Sequence, residues 1–518
     1  GNALRDLERH TEALASYKHA LSLNPDDAEY WLNCGSSLVQ LKRQEEAVET
    51  YSHAIRLQPA YPEAHLNCGI AQLSLGNDTN AIEHFAKALE LRPGYIEALN
   101  QRCFTYIRGG QLDEALKDCD AVLQILPDNS IAHNNRGVIM ERKAFFKEAL
   151  VEFTHALNAN PDLLQTHFNR GTSLKALNRL DEALAAFACV LMREPMKADA
   201  LWNSALCRLL LGDFEHGWPG YEWRWQEQAG ISAPLATSRP RWTPGCGARR
   251  LFIWAEQGVG DEIMFGGLLP EAARLAPELI VQLDPRLIPL FARSMPGLHF
   301  VSRREPVDES RYDYQLPMGS LCHYLRGSSA DFARAPHPYL RADADRTAAL
   351  HAALQTPGKR LCGISWRSGG VKTGAERSLE LSALVSAFEG IDVTLINLQY
   401  GDVDAEIDAH NAAHALKIER SDSVDIFNDL DGLAALISAC DFVVSVDNTT
   451  VHLAGALGVA CTVLLPFHPD WRWQLKRADS PWYPSLNLLR QPEPQDWNTL
   501  LKTLRKNVSN PEHLNSRC

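Results

Sequence analysis

Three polar clusters in the second half of the chain have the makeup of a site for a phosphorylated ligand. The first is Ser365-Trp366-Arg367-Ser368-Gly369-Gly370-Val371-Lys372, with Arg377 five residues on. Cations beside glycines suit a diphosphate, because guanidinium and ammonium groups pair with phosphate oxygens and glycines permit close approach. A solvated loop has the same composition. The second is Asp447-Asn448-Thr449-Thr450-Val451-His452, running into the small-residue stretch Leu453–Gly458. A helix that opens on Asn and Thr after an apolar strand offers free amides and hydroxyls to an anion. Asp447 or Asn448 would equally serve as an ordinary N-cap, and His452 as a core histidine. The third is Gly258-Val259-Gly260-Asp261-Glu262. Its glycines allow a tight turn and its carboxylates are expected to project into a cleft. It lacks the third glycine of a dinucleotide-binding fingerprint and the Gly-Lys-Ser/Thr of a nucleotide P-loop.

Each cluster follows a short apolar run of strand type. Arg250–Ala255, Leu279–Leu283 and Leu298–Val301 form a first series. Leu361–Trp366, Val393–Gln399, Phe442–Val446 and Thr462–Leu465 form a second. Such runs alternating with helical stretches predict parallel sheets covered on both faces. Two lobes follow, 249–357 and 358–518, with a break at Thr356-Pro357-Gly358. Ligands of such folds sit outside the carboxyl ends of the strands, here in the cleft between lobes. The aromatics of 466–473 and 480–483 fall near the same edge and would stack on a base or sugar, or simply pack. Asp402-Val403-Asp404 mimics a metal-binding carboxylate pair, but no metal is expected, since paired loop carboxylates are usually solvated.

The first half is different. Pro25, Pro59, Pro93, Pro127, Pro161 and Pro195 recur every 34 residues. So do Ala13 to Ala183, the aromatics Tyr17, Tyr51, Phe85, Phe153 and Phe187, and Gly35, Gly69, Gly137 and Gly171. Cys119 stands in the aromatic register and Cys103 in the glycine register. This is the tetratricopeptide (TPR) pattern of paired antiparallel helices stacked into an α-solenoid. The array is assigned to residues 1–231, followed by a Pro- and Gly-rich connector at 232–248. Gly1 falls at the register of Gly35, so the array is expected to continue upstream. Phe214, Trp218, Tyr221, Trp223 and Trp225 read as a cap that docks on the next domain.

One register has a functional reading. Asn33, Asn67, Gln101, Asn135, Asn169 and Asn203 form an amide ladder on the first helix of each unit. Amides donate and accept, so a row of them can hold an extended peptide without reading its sequence. Asn is also common at this position in TPR units generally. Arg102, Arg136 and Arg170 follow one position later, as a basic rail or as a solvated row.

The GxGD turn after a strand, the GISW–Arg stretch, the LxNLQ strand and the S-V-D-N-T-T-V-H-L-A-G-A-L-G helix start together resemble the heptosyltransferase family of glycosyltransferases, over about residues 249–505. That resemblance implies a GT-B fold of two Rossmann-like lobes, a nucleotide-sugar substrate in the cleft, and inverting transfer with no metal or other cofactor. It implies Asp261 as the base that deprotonates the acceptor hydroxyl. Lys372 or Arg377 would neutralise the leaving diphosphate, beside Arg367. Asp447, Asn448, Thr449, Thr450 and His452 would form the donor pocket, with Gly258 and Gly260 facing it. The family usually has a small or Gly-rich stretch where this chain has Asn448-Thr449-Thr450. The whole arrangement, TPR array then GT-B pair, resembles the O-linked N-acetylglucosamine protein transferases. That implies a protein or peptide acceptor along the concave face, held by Asn67, Asn135, Asn169 and Asn203. A TPR adaptor with a non-catalytic GT-B half, and a transferase acting on lipopolysaccharide or another saccharide, are the alternatives.

Composition bounds the rest. The chain has 518 residues, 45% hydrophobic and 22% charged, with formal net charge −13. That excess of acid argues against nucleic acid or an anionic membrane as main partner. No apolar run is long enough to span a bilayer. The twelve cysteines contain no CxxC pair, which points to a reducing compartment and a cytoplasmic location. Homo-oligomers occur among TPR arrays and stay open here.

Overall fold

The computed structural model describes residues 1–226, 234–369 and 374–509. Lys372 and part of the connector lie outside them. The described chain separates into two compact units, Gly1–Pro195 and Met196–Cys518.

The first unit is a TPR helical solenoid. Its five full repeats each pair a 13-residue helix with a 14-residue helix, from Ala28–Gln40 and Gln44–Leu57 to Leu164–Ala176 and Leu180–Arg193. The periodic proline ends each repeat, because it can neither donate to the preceding turn nor fit behind it. Within each pair the turn passes through a left-handed residue, again at 34-residue spacing: Lys42, Gly76, Gly110, Ala144 and Asn178, with φ between 57° and 79°. Only two are glycine, so this register is hidden in the sequence.

The glycine and aromatic registers are two halves of one contact. A Cβ on Gly35 would stand 2.5 Å from Tyr51 Cε1, and one on Gly69 or Gly171 equally close to Phe85 or Phe187. Each ring lies flat against a helix backbone that has no side chain there, and the rings are buried. The third full repeat replaces both members together: Cys103 and Cys119 bring their sulfurs to 3.1 Å. Two medium side chains thus fill the space of none and one large. Cys119→Phe alone should overpack this repeat and cost about 1–3 kcal/mol. Adding Cys103→Gly should recover most of that loss in a thermal melt of the double variant. Additive destabilisation would show that the two positions do not share one space.

The helices Ala198–Leu211 and Phe214–Tyr221 continue the array and cluster in the same compact unit as the sheets. The aromatic cap explains this. Trp218 donates its indole N–H to the Arg326 carbonyl at 2.6 Å and meets Trp471 edge-on. Arg224, itself buried, donates to both oxygens of Glu256 at 3.0 Å and to Ser320 Oγ at 2.8 Å. Such anchoring makes the cap part of the sheet unit, as expected of a docking segment.

Two all-parallel sheets follow. The first contains β1 (Arg250–Trp254), β2 (Glu278–Leu283), β3 (His299–Ser302) and β4 (Tyr314–Pro317), in the order β3-β2-β1-β4. The second contains β5 (Arg360–Ser365), β6 (Val393–Asn397), β7 (Ile418–Glu419), β8 (Phe442–Val446), β9 (Cys461–Leu465) and β10 (Leu486–Arg490). Its order is β10-β9-β8-β5-β6-β7. Central strands such as β5, β8 and β9 are buried along nearly their whole length and mostly apolar, because helices cover both faces. This is the expected α/β architecture. The sheets are joined where it matters: the helix Val259–Gly266 crosses the helix Thr449–Leu457, and Gly260 is the crossing point. A Cβ there would press on His452 Cδ2 at 3.0 Å.

Candidate functional site

Five strand ends converge on one cavity of about 220 Å³. Gly260 and Asp261 come from the turn after β1. Ser368, Gly369 and Arg377 follow β5, and Tyr400 follows β6. Asp447, Asn448, Thr449 and His452 follow β8, and Asp470 and Arg472 follow β9. Parallel strands all direct their carboxyl ends to one side, so residues 200 positions apart in sequence become neighbours.

The floor is held by amides. Gln399 Oε1 accepts from Ser365 Oγ and from the backbone N–H of Trp366 and Arg367 at 2.7–2.9 Å. Asn448 caps the helix Thr449–Leu457 by accepting from the Thr450 N–H at 3.0 Å. Its amide donates to Ser365 Oγ at 2.7 Å and to the Arg367 carbonyl at 3.0 Å. The ends of β5, β6 and β8 are thereby stitched together. Asn448 is thus a helix cap that also lines the cavity.

The charged groups form a line. Arg472 ion-pairs with Asp261 and, at 2.6 Å, with Asp470. Asp470 faces Arg377 at 3.6 Å, and Arg377 lies 3.0 Å from Asp447. Burial works against both guanidiniums, but their carboxylate partners more than offset it and raise both above the usual arginine value. Burial also pushes Asp470 up, yet the two arginines hold its carboxyl below the usual carboxylate range. Asp447 Oδ2 is buried with no aligned hydrogen bond, so the ion pair is its main compensation. His452 is buried, and burial lowers its pKa against the pull of the nearby carboxylates. Its Nδ1 meets the Tyr483 hydroxyl at 3.0 Å and its ring stacks on Trp473. His452 thus packs in the core and borders the cavity.

Other expectations need correction. Glu262 does not share the cavity with Asp261. It turns to the opposite side of the helix, where it is buried, accepts from the Asp284 N–H and pairs with Arg303, both at 2.6 Å. Burial pushes it up to about 7. Arg367 points away and pairs with Glu406 at 2.8 Å; only its backbone serves the site. Thr450 is fully buried behind Asn448, with its hydroxyl towards the Leu398 carbonyl. Gly258 caps its helix without lining the cavity. Trp471, Trp473, Trp482 and Tyr483 are buried packing rather than an open stacking surface. Asp404 pairs with Arg420 on a helix start. Among the described residues no group of three or more His, Cys, Asp or Glu converges as a metal site would.

The amide ladder is also partly spoken for. Asn169 donates to Asn134 Oδ1 at 3.1 Å and accepts from Gln165 at 2.9 Å. Asn33 accepts from Arg5 at 2.7 Å. Asn135 is buried, Asn67 is half-buried, and Asn203 lies in the second unit, where it donates to the Asp199 carbonyl. Two of the three rail arginines are paired, Arg102 with Asp118, and Arg136 with Asp120 and Glu152.

The fold thus defines a TPR array joined to a two-sheet α/β unit with a charged cavity at five of its strand ends. Known proteins agree on the first part. Family models described as TPR or tetratricopeptide repeats match residues 1–42, 35–76, 62–95 and 168–216. Protein FlbA of Caulobacter vibrioides is 31% identical over 322 residues, which is 57% of this chain and 53% of FlbA. The chain therefore spans about half the length of that relative. Among solved structures, a chain of the APC/C hetero-tetramer Cut9–Hcn1 aligns at 17% identity and TM-score 0.39, over 43% of this chain and 44% of its own. YrrB, a TPR protein with an unusual peptide-binding site, aligns at 19% identity and TM-score 0.31, over 36% of this chain and 97% of its own. No helix among the described residues is long and apolar enough to cross a membrane.

Proposed function

We propose that the protein is a glycosyltransferase of GT-B type, moving a sugar from a nucleotide-sugar to a hydroxyl, with a protein acceptor recruited by the TPR array. The observation that carries this reading is the cavity itself. It sets one carboxylate on the first lobe, Asp261, opposite two guanidiniums and a helix start on the second, Arg377, Arg472 and Asn448–Thr449. In the step this supports, the acceptor oxygen attacks the anomeric carbon while its proton passes to Asp261. The bond from that carbon to the diphosphate oxygen breaks, and the guanidiniums take up the charge that develops on the leaving group. The reading includes inversion at the anomeric carbon, no metal, and a cytoplasmic setting. TPR arrays are protein-interaction scaffolds, which favours a protein acceptor over a saccharide.

A non-catalytic adaptor draws on one observation: both guanidiniums of the cavity already hold carboxylates. A transfer assay separates the two readings. Purified protein is incubated with labelled nucleotide-sugars and candidate acceptor proteins, and acceptor mass is read. A sugar-sized mass gain supports the transferase; donor binding without transfer or hydrolysis supports the adaptor. Within that assay Asn67→Ala should raise acceptor KM without moving the melting temperature. Asn169→Ala should instead lower stability by about 0.5–1.5 kcal/mol, since it removes the hydrogen bonds to half-buried Asn134 and exposed Gln165. Equal acceptor KM in Asn67→Ala would leave the ladder structural.

A further inference from the structure

The five charged side chains of the cavity run Asp261–Arg472–Asp470–Arg377–Asp447, alternating in sign. Three carboxylates share two guanidiniums. A diphosphate entering the cavity must therefore compete with these carboxylates for both arginines. The candidate base is also engaged on both oxygens: Oδ1 holds Arg472 and Oδ2 accepts from the Gly258 N–H at 3.3 Å. A carboxylate so occupied is not free to accept from an incoming acceptor hydroxyl. Arg472 is shared, however. Asp470 grips it at 2.6 Å and would keep it in place if Asp261 let go.

We infer that Arg472 is an exchange residue: it holds Asp261 until a diphosphate enters, then passes to the diphosphate with Asp470 as its pivot, so that Asp261 is freed only in the donor-loaded site. This rests on the transferase reading and adds an order of events to it. The donor must bind before the acceptor can be deprotonated, and the resting enzyme protects its base. Arg472 is here a positioning residue for Asp261 as well as an anion contact, a double role that follows from its place between two carboxylates of opposite lobes.

The exchange predicts that the base competes with the ligand. Calorimetric titration of the full chain with inorganic pyrophosphate tests it in wild type, Asp261→Asn, Asp261→Ala and Arg472→Gln, each checked for an unchanged melting temperature. Removing the competing carboxylate should tighten pyrophosphate binding by about fivefold in both Asp261 variants, the scale of one partly exposed ion pair. Arg472→Gln should weaken it about tenfold or more, the scale of a charge-assisted hydrogen bond. Binding by wild type that is unchanged or weaker in both Asp261 variants overturns the exchange and leaves the phosphate site standing. Absence of binding in wild type and both Asp261 variants overturns the site and the exchange together.

Discussion

Asp261→Asn is expected to lower transfer to an acceptor hydroxyl by about 10²–10⁴-fold, the usual contribution of a positioned general base. Donor affinity should change only by the few-fold gain described above. The separation is the diagnostic feature. The substitution keeps the size of the side chain and the acceptor oxygen facing Gly258, so the helix start should survive. What is removed is the negative charge that receives the proton. The measurement is kcat and donor KM in the same preparation. Turnover within a factor of about three of wild type, well inside the range where no general base has been lost, would remove Asp261 from the role of base. Loss of donor binding together with turnover would instead make Asp261 a structural tie through Arg472.

Arg377→Gln is the second large effect. Arg377 is three-quarters buried and bridges Asp447 and Asp470 from the loop after β5. Under the proposed chemistry its charge meets the leaving group as the bond to carbon breaks. Removing one such donor costs about 10²–10³-fold in kcat. The variant also strands Asp447, whose Oδ2 has no other partner among the described residues. A melting temperature lowered together with activity is therefore expected. The double variant Arg377→Gln/Asp447→Asn tells the two effects apart: if stability is lost because the Asp447 charge is stranded, the melting temperature should recover in the double variant, whereas turnover should not.

Much of this architecture is legible in the residues. The repeat array is, because a 34-residue period in proline, alanine and aromatic positions leaves no other solution. The central strands are, because burial on both faces makes them predominantly apolar. β4, β7 and β10 escape notice for matching reasons. β4 carries Tyr, Gln and a terminal Pro, β7 is two residues long, and β10 lies at a sheet edge with alternating exposure. The site was half visible. Asp261, Arg377, Asp447, Asn448, Thr449, His452 and Gly260 do meet at one cavity, while Arg367 and Thr450 serve it only through their backbone or from behind. Asp470 and Arg472 were hidden inside an aromatic run read as a stacking surface. The signal that could have found them is positional: they follow β9 as Asp447 follows β8, and every strand end of that sheet faces the same side. The reason Gly260 is glycine was not legible either. It is the point where two helices from different lobes cross against a histidine ring, a contact that only the assembled unit creates.

The central claim is that this cavity receives a nucleotide-sugar. The direct measurement is a calorimetric panel of the wild-type chain against UDP, GDP, ADP, CMP and their common sugar conjugates, repeated with Arg377→Gln. The account predicts micromolar binding of one nucleotide class, weakened at least about tenfold in the variant. No heat of binding from any member of the panel would contradict it, and would leave the chain as a TPR adaptor whose α/β half binds no nucleotide.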